Sequence, residues 1–174
     1  TQVLTGGAVS SEHAKFTVTT ESGTPPQEWI IKNDGYLQKP PITIKSTDSL
    51  AWKKLKDAVQ AADDGDVISI DGEIKATNDS GNSGEIVVNR SITVKKADSA
   101  TSAVLNANKD AGGKPKHRIF KVKSGNTLTL ENLTLKGGIA ETSGDALGGG
   151  VYANGGTVNM TNCTLKGNEA KNGG

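Results

Sequence analysis

A single cysteine, Cys163, stands among 174 residues, so no internal disulfide framework can staple this chain. Aromatic residues make up only 3% of it and apolar residues 33%, too few for one large rounded core. No stretch approaches the roughly 20 consecutive apolar residues that a membrane-spanning helix requires. Nor does Thr1 open a basic segment followed by an apolar run, as a secretory leader would. Charge of one sign is missing too: 20 Lys and Arg face 19 Asp and Glu, which gives no reason to expect a nucleic-acid partner. The two histidines, His13 and His117, sit in dissimilar contexts; they offer neither a Ser-His-Asp arrangement nor a metal site and read as exposed.

What the chain has is glycine, 22 residues of it, and a repeat. Thr127-Leu-Thr-Leu-Glu-Asn-Leu-Thr-Leu-Lys-Gly137 returns 30 residues later as Thr157-Val-Asn-Met-Thr-Asn-Cys-Thr-Leu-Lys-Gly167. Apolar residues at alternate positions describe strands with one buried face. Asn132 and Asn162 fall between two such runs, where a bend sends the chain onto a new face. Gly149-Gly-Val-Tyr-Ala153 supplies a further strand between the copies, so each coil holds about three. A looser copy is Ile86–Lys95, in which Ile92-Thr-Val-Lys95 aligns with Leu133-Thr-Leu-Lys136 at an offset of 41 and leaves a polar loop between Lys96 and Lys116.

This pattern predicts an all-β fold, a parallel β-helix of stacked coils, right-handed by the crossover rule. Its open end requires a cap. Ser46-Thr-Asp-Ser49 offers helix N-cap residues, and Trp52, Leu55, Val59 and Ala62 form one apolar stripe while Lys53, Lys54, Lys56 and Asp57 lie opposite. The expected organisation is a β-rich extension of the cap over 1–45, an amphipathic capping helix within 46–66, and coils over 67–174. In the extension, Phe16-Thr-Val18, Trp29-Ile-Ile31 and Ile42-Thr-Ile44 read as strands. The chain begins without Met and stops within the repeat, which suggests a piece of a longer protein whose open last coil invites self-association.

Gly149-Gly150-Val151-Tyr152, Leu165-Lys-Gly-Asn168 and Asn172-Gly-Gly174 resemble the Gly-Gly-aliphatic and Phe-x-x-Asn repeats of chlamydial polymorphic outer-membrane proteins and similar spirochaete surface proteins. The resemblance covers about residues 119–174. It departs at Leu165, where those repeats prefer Phe, and at Gly138, where the preceding copy lacks the Asn. It implies a secreted or outer-membrane-associated adhesin with a role in virulence, whose partner is a host cell-surface protein or glycan. Leu55, Ala58, Gly65, Asp66 and Ile68 also resemble the helix-to-first-coil junction of β-helix polysaccharide lyases and adhesins.

A lyase or hydrolase is therefore the alternative reading, but such sites need clustered carboxylates and a base. The outward positions are instead Thr93, Thr127, Thr129, Thr134, Thr157, Asn159 and Thr164, and no cofactor or metal is expected. Asp63, Asp64 and Asp66 read as a solvated turn, and Asn78–Gly84 as a flexible loop that lacks the bidentate Glu of a calcium site. Cys163 replaces Leu133 in an inward column and reads as a small core residue. Asn132 and Asn162 read as a hydrogen-bonded bend ladder, and Gly149 and Gly150 as turn residues. The functional candidate is a column of Lys95, Lys136 and Lys166 beside Thr93, Thr134 and Thr164, a track for an anionic ligand such as an acidic glycan. The competing reading is a solvated edge that discourages aggregation.

Overall fold

A computed structural model of the chain describes the strands within residues 1–41 by their backbone, and residues 42–108, 117–140 and 146–171 in full. The chain divides into two compact units, Thr1–Pro41 and Ile42–Gly174. In the first, β1 (Thr5–Gly6), β2 (Lys15–Val18), β3 (Gln27–Ile31) and β4 (Leu37–Gln38) pair antiparallel in sequence order, with Phe16 opposite Trp29. The second holds β5 (Ile42–Lys45), α1 (Ala51–Ala61), β6 (Val67–Lys75), β7 (Ile86–Val88), β8 (Ile92–Lys96), β9 (Ala103–Asn106) and β10 (Phe120–Lys123). It continues with β11 (Thr127–Glu131), β12 (Thr134–Lys136), β13 (Ile139–Ala140), β14 (Val151–Asn154), β15 (Thr157–Thr161), β16 (Thr164–Lys166) and β17 (Glu169–Ala170).

These strands stack in parallel as a β-solenoid of about four turns. The first face is β7, β10 and β14, and the second runs β5, β6, β8, β11 and β15. The third uses the later half of β6, then β9, β12 and β16. Ile42–Lys45 therefore belongs to the solenoid and not to the N-terminal extension: Ile44 lies beside Ile70 and is buried, which moves the boundary back to residue 41.

Alternation places aliphatic residues in line with their counterparts on the next rung. Ile42, Ile68, Val94, Leu130 and Met160 form one column on the second face. On the third, Ile74, Leu105, Leu135 and Leu165 form another. Full burial of each such side chain contributes about 1.5–3 kcal/mol, so the columns set the register. On the last described rung Met160 is 40% and Leu165 51% exposed, because neither has a described neighbour on its far side.

The 30-residue repeat is the observed pairing, since Thr127 lies beside Thr157 and Thr134 beside Thr164. The looser copy is not. Ile92 lies beside Leu128 and Lys95 beside Glu131, an offset of 36 on the second face. The rung partner of Thr134-Leu-Lys136 is Val104-Leu-Asn106, 30 residues earlier. The extra length lies at the corner between β8 and β9, where Ala97–Ser102 does what Asn132-Leu133 does one rung on. Part of the supposed loop between Lys96 and Lys116 is thus the strand β9, while residues 109–116 lie outside the described ones.

The cap forms from α1, which buries Ala51, Trp52, Leu55, Ala58 and Val59. Its N-cap differs from the expectation. Leu50 occupies that position with φ 52° and makes no side-chain capping bond. The free amide of Lys53 instead donates to Oδ1 of Asn82, at 2.9 Å, from the segment that reads in sequence as a flexible loop. Asn82 is 3% exposed and its amide nitrogen donates to Thr77 Oγ1 at 2.8 Å. Two further bonds fasten this segment: Trp52 Nε1 donates to Gly84 O, and Lys56 Nζ to Ser83 O. Sequence pattern cannot reveal this cap, because the acceptor lies 29 residues from the donor.

Replacing Asn82 by Ala removes an acceptor for the helix and a bond within the segment. We expect a loss of about 1–2 kcal/mol in urea unfolding followed by tryptophan fluorescence, and an unchanged midpoint would contradict this role.

Candidate functional site

The third face carries the functional candidates, in a different combination from the one the repeat suggested. Outward side chains alternate with the inward Ile74–Leu165 column, giving two rows that are polar except at Val104. One is Glu73, Val104, Thr134 and Thr164; the other is Lys75, Asn106, Lys136 and Lys166. Rungs of a parallel sheet lie roughly 4.8 Å apart, so Lys136 and Lys166 are immediate neighbours and Lys75 stands two rungs from Lys136.

Lys95 and Thr93 do not join this face. Thr93 lies on the second face between Val67 and Thr129, and Lys95 between Ser69 and Glu131, with its ammonium 3.2 Å from Asp98. The proposed three-lysine column is corrected accordingly: Asn106 takes the place given to Lys95, and Lys75 is the third lysine. Its signal was present in Glu73-Ile74-Lys75, which has the polar–apolar–lysine phase of Thr134-Leu135-Lys136. No bend asparagine precedes it, because β6 runs continuously across the corner through Gly72 at φ +86°.

Glu73 sets the charge balance of the site. Its Oε1 accepts from Asn106 Nδ2 at 2.7 Å and lies 3.0 Å from Lys136 Nζ. The Asn106 amide and then the Lys136 ammonium hold its carboxyl below the ordinary value. Lys136 thus has an internal counter-ion, whereas Lys75 and Lys166 extend the row on either side with exposed side chains. Like charges one rung apart repel by roughly 1 kcal/mol or less at a wet surface.

The structural positions take definite geometry. Asn132 and Asn162 both lie in the left-handed region, at φ 57° and 53°, and Asn162 Nδ2 donates to Asn132 Oδ1 at 3.3 Å. Asparagine suits such a corner because it tolerates that conformation and its amide reaches the next rung. Gly149 and Gly150 serve a purpose other than turn conformation. A Cβ on Gly149 would meet Glu169 O at 2.1 Å, so the backbones approach too closely for any side chain. A Cβ on Gly138 would meet Gly149 O at 2.1 Å, which accounts for the missing Asn in the earlier copy. Asn168 bridges back from the later rung, accepting from Gly138 N and donating to Leu135 O. Cys163 follows Leu133 inward but is only partly buried, with Sγ 3.4 Å from Leu130 O.

Asp64 accepts from Ser91 N at 2.7 Å and Asp66 from Asp63 N at 3.0 Å, so this acidic cluster fastens a turn. Among the described residues no group of three His, Cys, Asp or Glu is placed to hold a metal ion. His13 lies outside the described residues. His117, read as exposed, is instead partly buried, with its ring against Trp52.

No family model, curated protein or solved structure matches the chain.

Because the folded-state pKa of Glu73 lies below its unfolded value of 4.5, its stabilisation is complete above that value and is lost as pH falls through the folded pKa. Glu73→Gln should flatten this part of the acid dependence of stability in urea titrations between about pH 3 and pH 6. An unaltered acid profile would contradict the assigned interaction.

Proposed function

We propose that this chain is a binding segment of a bacterial surface or secreted adhesin, and that its third face engages an acidic glycan or an acidic patch on a host protein. The observation that carries the reading is the row Lys75, Asn106, Lys136 and Lys166 beside Thr134 and Thr164, set in register on a rigid parallel sheet. Cations held along a line suit a linear polyanion better than a small ligand, because successive anionic groups can be met without ordering a loop. Threonine hydroxyls beside the lysines supply both donors and acceptors for sugar hydroxyls. The Gly149-Gly-Val-Tyr152 and Leu165–Asn168 motifs, which resemble those of chlamydial polymorphic outer-membrane proteins, support the same placement at a cell surface.

The reading makes the binding electrostatic and local to one face. The chain should be retained on immobilised heparin at low salt and released as salt rises, since exposed charges are screened beyond about 8–10 Å at physiological ionic strength. Replacing Lys75, Lys136 and Lys166 together by Glu should abolish retention, while Lys95→Glu on the second face should leave it nearly intact. Equal retention of the triple variant would overturn the assignment. A parallel assay with polygalacturonate separates binding from turnover: cleavage of the polymer would replace the adhesin reading with a lyase or hydrolase.

A further inference from the structure

His117 occupies a junction that the glycan-binding reading does not use. Its backbone carbonyl accepts from Ile139 N at 2.9 Å. Its ring leans on Trp52 of the capping helix, with ring centroids 5.4 Å apart and planes inclined by 56°. Trp52 is fully buried, and its indole N–H holds Gly84 at 2.9 Å. One imidazole thus touches the helix whose side chains fasten the 77–84 segment over the end of the solenoid.

The hydrogen on this ring is determined by its neighbour. Nδ1 lies 2.8 Å from the carbonyl oxygen of Arg118, which can only accept, so Nδ1 carries the proton and Nε2 a lone pair. Nε2 is buried and has no hydrogen-bond partner among the described residues. A second proton would therefore create an N–H and a full positive charge at a buried atom that no described acceptor meets. The charged groups facing the ring act in opposition. Lys56 of α1 disfavours the imidazolium, whereas Glu85, just before β7, favours it but is already paired with Arg118 Nε at 3.1 Å. The Trp52 ring face offers a modest cation–π contribution. Burial dominates and holds the imidazole below its ordinary range.

We propose that His117 is an acid-sensitive latch for the cap: proton uptake at Nε2 releases α1 and the 77–84 segment and bares the outer edges of β5 and β7. The sign follows from linkage. A histidine whose folded pKa is depressed leaves stability intact above its unfolded value of 6.5, and stability falls as pH drops from there towards the folded value. Asp48, which accepts from Lys45 N and pairs with Lys54 beside the same helix, has its carboxyl lowered from 3.8, so its titration lies well below this window. An uncovered strand edge is a template for another chain, so release of the cap would couple acidification to self-association.

Amide hydrogen exchange on the whole chain at about pH 7.5 and pH 5.5, corrected for intrinsic rates, tests the latch. We expect α1 and residues 77–84 to lose protection at the lower pH while β11 and β12 keep theirs, and His117→Gln to show no such loss. The same loss in the variant, a loss spread evenly over all rungs, or none in the unmodified chain would overturn the proposal. Titration of the His117 ring protons by NMR in the unmodified chain tests it without a variant: a midpoint at or above the ordinary histidine value would also overturn it.

Discussion

Backbone hydrogen bonding between successive rungs is the constraint on which the rest of this molecule depends. Strand amides and carbonyls of the solenoid are satisfied by the rungs on either side, so each rung must repeat the path of the last. Side chains then fall into columns whether or not the sequence repeats well. Where it does, as from Thr127 to Gly167, the columns match residue for residue. Where it does not, an irregular corner such as Ala97–Ser102 absorbs the difference and the stacking continues.

The special positions follow from that constraint. Corners demand left-handed backbone, supplied by Asn132, Asn162, Gly137 and Gly167. Close passage of rungs excludes a side chain at Gly138 and Gly149. The end of the stack must be closed, and α1 closes it by burying Trp52, Leu55 and Val59 and by bonding to acceptors on Asn82, Ser83 and Gly84. The resulting cap is a tertiary arrangement and not a property of the helix sequence, whose own N-cap residue, Leu50, contributes no side-chain bond.

Much of the fold was legible because its strongest signal, alternation repeated at 30 residues, is the direct imprint of rung stacking. The helix was legible for a similar reason, its stripe of Trp52, Leu55 and Val59 being periodic. The site was less so. Aligning Ile92–Lys95 with Leu133–Lys136 gave the better letter match, yet the second-face pairing of Ile92 with Leu128 won because it continues the inward column through Val94 and Leu130. That shift exchanged Lys95 for Asn106 and brought in Lys75 and its neighbour Glu73. His117 escaped notice because nothing local marks a histidine that is partly buried by a helix distant in sequence.

The register of the rungs is the central claim, since both the core columns and the lysine row rest on it. Oxidative cross-linking of paired cysteines, with Cys163 replaced by Ser, reads that register directly, because neighbouring parallel strands place Cα atoms within the roughly 4.4–6.8 Å that a disulfide accepts. Cysteines at positions 95 and 131 should join readily, and those at 95 and 136 should not. Efficient joining of 95 to 136, with none between 95 and 131, would contradict the stacking described.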